Sequence, residues 1–186
     1  MIERYPLTTH TTEAPASGGA RESMLKLYKR ENGRITSYHE AWVDGAHVIE
    51  HWGPLGERGM TREHRRDSGA GEEENIRRVL APAMGDRFEP VDADDHAVLL
   101  VEFASKGPGT AGDVKKQGAL HSRLNEMLGW TGLGHCDRGS VGSGTMEVCC
   151  LVVDFEHARR VIEENLAGTE FADYLRIYDE RRDPSA

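Results

Sequence analysis

The chain is poor in cysteine, with 3 in 186 residues, and two of them, Cys149 and Cys150, are adjacent. That count excludes a disulfide framework and points to a reducing compartment. Long apolar runs are also missing. The longest, Val148 to Val153 and Ala97 to Val101, fall far short of a bilayer span. The start, Met-Ile-Glu-Arg followed by polar residues, carries no apolar leader. These absences point to a soluble, cytoplasmic protein with no membrane partner. What is present is an ordinary globular composition, with a formal net charge of -9 and 21 glycines.

Residues 1–22 are rich in Thr, Gly and Pro, have no periodic apolar face, and read as a disordered tail. Two patterns follow. The first, 23–90, opens with strand-like stretches separated by Asn32-Gly33 and Asp44-Gly45, both strong hairpin signals. The return strand, Ile35 to Val43, places Ile35, Ser37, His39, Ala41 and Val43 on one face. A third strand over His47 to Trp52 and a fourth over Met60 to Arg66 precede a helix over Glu72 to Met84. Glu72, Glu73 and Glu74 suit the positive end of its dipole.

The second pattern, 95–182, reads strand, helix, strand, strand, helix, strand. Thr110 and Asp113 resemble a capping pair, Asp154 caps the last helix, and Gly168 fits its end. This order is the βαββαβ of ferredoxin-like sandwiches. The expected class is α+β: an antiparallel sheet plus helix, then a ferredoxin-like α/β sandwich.

His51-Trp52-Gly53-Pro54-Leu55-Gly56-Glu57-Arg58-Gly59-Met60-Thr61 resembles the signature of WGR domains, and the resemblance extends over about 23–89. WGR domains are small sheet-plus-helix modules that help poly(ADP-ribose) polymerases bind DNA ends. The resemblance implies a nucleic-acid contact at Trp52 and Gly53. It does not transfer the third position, where Pro54 replaces Arg and offers neither guanidinium nor backbone donor. Arg58, Arg62, Arg65 and Arg66 follow at once, so DNA or RNA is the expected, weakly bound partner. Residues 21–66 carry nine basic against seven acidic side chains, whereas 91–186 carry ten against seventeen.

Other chemical signals are thin. His47 and His51, four apart on a strand, stand about 13 Å from each other and cannot share a metal. The His135-Cys136-Asp137 run and the Cys149-Cys150 pair lack chelating spacing. Gly139 to Gly144 leads into a strand, not a phosphate-binding helix. No enzyme activity, cofactor or metal is expected.

Apolar residues occupy both faces of 97–103 and 146–153, yet helices cover only one face of such a sheet. Leu99, Val101, Cys149, Leu151 and Val153 are therefore the expected interface, covered by a second copy or by the first half. The functions consistent with these features are a non-enzymatic accessory or regulatory protein touching nucleic acid, an acidic protein-binding module of antitoxin or immunity-like kind, and a small-molecule binder on the C-terminal sheet.

Overall fold

A computed structural model describes residues 23–182. The expected tail, 1–22, lies outside the described residues. The described chain is α+β, with two four-stranded antiparallel sheets and three α-helices.

The first sheet runs in sequence order: β1 (Met24–Glu31), β2 (Arg34–Asp44), β3 (His47–Pro54) and β4 (Met60–Arg65). Asn32 and Gly33 turn β1 into β2 with φ of +51° and +80°, the mirror-image turn that matches strand twist. The next turn falls on Gly45 and Ala46, because Asp44 still pairs with His47.

Ala41 and Val43 join Leu27 and Val48 beneath Ile76 and Leu80 of α1 (Glu72–Gly85). Ile35 departs from the expected face. The β1–β2 pairing slips between Lys29 and Arg30, leaving Thr36 as an extra residue in β2. Such a bulge reverses the alternation, and Ile35 packs with Tyr28, Tyr38 and Leu55 instead.

The second sheet contains β5 (Ala97–Ala104), β6 (Gly134–Gly142), β7 (Thr145–Val152) and β8 (Arg176–Asp179). Its helices are α2 (Ala111–Trp130) and α3 (Phe155–Leu166). The spatial order β6-β7-β5-β8, with every neighbour antiparallel, is that of a ferredoxin-like sandwich. Local chemistry sets the helix starts. Thr110 and Asp113 form a reciprocal capping box, and the Asp154 carboxylate accepts from the His157 amide.

The expected interface residues separate between the two faces of this sheet. Leu99 and Val101 are 0% exposed and lie under the helices with Val148 and Cys150. Val153 follows β7 and packs on the same core. Only Cys149 and Leu151 belong to the outer face, with Val98, Leu100 and Tyr178. Val98, Leu100 and Cys149 are already buried within the single chain. Around them stand polar groups: Arg176 pairs with Glu102 and lies over the Tyr178 ring, and Tyr178 donates to Glu147. A covering subunit is thus not needed to keep these residues from water.

The two patterns share a core. Tyr28, Ile35, Tyr38 and Leu55 belong to the same cluster as Leu124, Leu128 and Leu133. Across the junction Tyr28 Oη donates to the Gly132 carbonyl at 3.0 Å, and the Gly56 amide donates to the Thr131 carbonyl at 2.9 Å.

Candidate nucleic-acid interface

Strand alternation sends consecutive residues of β3 to opposite faces. Glu50 and Trp52 share the α1 side with His39 of β2 and with Met60, Arg62 and His64 of β4; His51 points the other way.

On the α1 side, aromatic rings and cations form a row across the strands. The Trp52 ring is half-buried and stacks on His39, with centroids 5.7 Å apart and planes at 27°. The Arg62 guanidinium lies 5.2 Å from the Trp52 centroid. His39 meets the edge of Phe88 at 5.7 Å, and the Lys29 ammonium stands 5.6 Å from the Phe88 centroid. The row is Lys29, Phe88, His39, Trp52, Arg62.

Glu50 anchors this row. Its two oxygens accept from His39 Nε2 at 2.8 Å and from His64 Nε2 at 2.7 Å, and Arg62 lies 3.9 Å away. Burial alone would raise the Glu50 carboxyl, but the hydrogen bonds from His64 and His39 outweigh it and hold the group below its ordinary range. An ionised carboxylate only accepts, so each Nε2 carries a hydrogen and each Nδ1 is left as the second ring atom available.

The other face carries a buried polar line. Lys26 Nζ lies 2.8 Å from Glu40, which accepts from His51 Nδ1 at 2.8 Å. His51 Nε2 is 3.1 Å from Tyr38 Oη, and that hydroxyl also reaches the carbonyls of Trp130 (3.0 Å) and Glu57 (3.2 Å). His51 is 0% exposed and its ring lies edge-on to Trp130 at 4.8 Å. This line joins the first sheet to the end of α2.

The four arginines expected to form one patch are dispersed. Arg62 lies over Trp52. Arg58 lies 5.2 Å from the Trp130 centroid, at the junction. Arg65 falls on the opposite face of β4 from Arg62. Arg66 pairs with Glu72 at the start of α1.

The glycines of this loop serve the chain itself. A Cβ at Gly53 would stand 2.9 Å from the Gly59 Cα, and one at Gly59 would meet the Trp52 carbonyl and Tyr38 Oη at 2.3 Å. Gly56, at φ +86°, packs against the His157 ring. The space at Gly53 is therefore taken by backbone, and the loop docks on the C-terminal half.

Sequence reasoning missed Lys29, Phe88, His39, Glu50 and His64. Three of them, His39, Glu50 and His64, come from neighbouring strands, so cross-strand register brings them together. Among the described residues no group of three or more His, Cys, Asp and Glu could hold a metal ion. Among the same residues no helix is long and apolar enough to cross a membrane. A shallow cavity of about 270 Å³ lies between β1 and α1, lined by Leu25, Ile76 and Arg77 among others. None of its lining residues belongs to the C-terminal sheet, where the small-molecule reading puts a ligand. Compared with known proteins, the chain matches no family model, no curated protein and no solved structure.

Proposed function

We propose that this chain is a non-enzymatic accessory protein that contacts nucleic acid through the Trp52 row. The observation that carries the reading is the unbroken line of rings ending in a cation on each side, Lys29 and Arg62. A base stacks on Trp52 when the exposed Arg62 side chain leaves the ring for a phosphate, and Lys29 suits a second phosphate. The resemblance of 51–61 to the WGR signature supports Trp52 alone among these residues. Trp52, Arg62 and Lys29 make the contact, while Glu50 fixes the two imidazoles beside it. Gly53, Arg58, Arg65 and Arg66 take no part, given their placements. The net charge of -9 keeps the affinity low.

A fluorescence titration at low salt with blunt duplex DNA, single-stranded DNA and RNA tests the reading. Binding is expected to weaken steeply with salt, and Trp52→Ala to cost about 1–3 kcal/mol. Folded protein that binds none of the three removes the proposal. The surplus of acid over 91–186 then favours the second reading, a module that masks a basic protein.

A further inference from the structure

Cys136 and Cys150 stand directly opposite each other on β6 and β7. Their Sγ atoms are 2.7 Å apart in the core beneath the helices, with residue exposures of 3% and 0%. Both are thiols. Opposed residues of antiparallel strands have Cα atoms about 4.5–5.5 Å apart, inside the range of about 4.4–6.8 Å that a disulfide spans. The third thiol, Cys149, points to the outer face opposite Leu100 and Arg138 and reaches neither of the other two.

We propose that Cys136 and Cys150 are an oxidisable pair that closes a disulfide pinning β6 to β7. β6 is an edge strand of its sheet. Its pairing skips from Cys136 to Arg138, so Asp137 is an extra residue beside the first sulfur. A bulged edge strand opens locally at lower cost than a central one, and this gives the buried pair its route to a reagent. Cys136, next to the bulge, reacts first. Contact with Cys136 and burial push the Cys150 thiol up, so Cys150 serves as the resolving partner.

The oxidant is a small-molecule disulfide of the glutathione class. Cys136 loses its proton and its sulfur attacks one sulfur of that disulfide. A mixed disulfide forms and one small thiolate leaves. Cys150, deprotonated in turn, attacks Cys136 Sγ and expels the second small thiolate. Both small thiolates take up a proton. The protein loses two protons and two electrons, and one small disulfide becomes two thiols.

The test is equilibration of the full chain in a glutathione redox buffer, once from the native state and once by refolding from denaturant. Intact mass and peptide mapping read the product. The expected product is two hydrogens lighter, bridged between Cys136 and Cys150, with Cys149 free. Cys149→Ser should form the same bridge. Amide exchange in β6 should slow, and the thermal midpoint should rise by roughly 5 °C. A refolded chain that keeps all its thiols, a stable glutathione adduct on Cys136, or a bridge to Cys149 overturns the proposal. So does a bridged chain with unchanged exchange in β6.

Discussion

His51 and Trp52 are neighbours in sequence and serve opposite faces of one strand. His51 is sealed under Trp130 at the junction of the two sheets, while Trp52 lies half-buried between His39 and Arg62. Structural and candidate binding roles therefore alternate along β3, and substitutions can separate them.

Tyr38→Phe removes the hydroxyl that meets His51, Trp130 and Glu57. His51 Nε2 then stays buried without this partner. The expected cost is about 1–3 kcal/mol of stability, read as a lower urea midpoint. Any nucleic-acid affinity of the folded protein should be unchanged, since Tyr38 is on the other face from Trp52.

Two glycine substitutions should have opposite signs. Gly59→Ala forces a methyl against the Trp52 carbonyl and Tyr38 Oη, both at 2.3 Å, and should destabilise markedly. Gly118 lies within α2 with nothing within 4 Å of its added Cβ. Gly118→Ala should stabilise by about 0.5–1 kcal/mol, because alanine loses less backbone freedom on forming helix. Thermal melts of the two variants check both signs.

Stability should fall at both ends of the pH scale. Burial would raise the Glu40 carboxyl, but the Lys26 ammonium and the His51 hydrogen bond outweigh it and hold the group below its ordinary value of 4.5. A group lowered on folding contributes stability above its unfolded value and loses it as pH falls through the folded one. The acid limb should therefore begin below about pH 4.5. On the alkaline side, burial would lower Lys26, but Glu40 raises it overall. Burial raises Tyr28, and burial with the Glu147 hydrogen bond pushes Tyr178 up to about 12. Groups raised on folding contribute fully below their unfolded values and lose that contribution as pH climbs through the folded ones. The decline should start near pH 10. Urea midpoints across pH give both limbs, and tyrosinate absorbance follows the alkaline one.

The arginines of β4 offer a directional check on the proposed contact. Arg62→Ala should make the salt dependence of binding shallower by about one in slope. Arg65→Ala, on the opposite face, should leave the slope unchanged. Equal effects of the two would mean that binding does not use the Trp52 row.

Leu99→Asp and Leu151→Asp test the sheet faces. A carboxylate at Leu99 enters the helix-covered core and should prevent stable folding. Leu151 is half-buried on the outer face, so its substitution should leave circular dichroism intact. Sedimentation of the natural chain and of Leu151→Asp then shows whether that face joins two copies.

The amino-acid sequence by itself determined the order of the elements, the Asn32-Gly33 turn, the Thr110–Asp113 and Asp154 caps, and the alternation that puts His39, Ala41 and Val43 on one face of β2. Each rests on local dihedral preference or on the period of apolar residues within a single segment. Only the tertiary structure decided which segments meet. The bulge at Thr36 turned Ile35 to the other face. Strand register set Glu50 between His39 and His64, brought Cys136 against Cys150, and sent Arg62 and Arg65 apart. Docking on α3 and on the end of α2 gave Gly56 its purpose, and the close approach of the Gly53 and Gly59 backbones gave those two theirs. Register and docking depend on contacts between residues far apart in the chain, and the period within one segment carries no record of them.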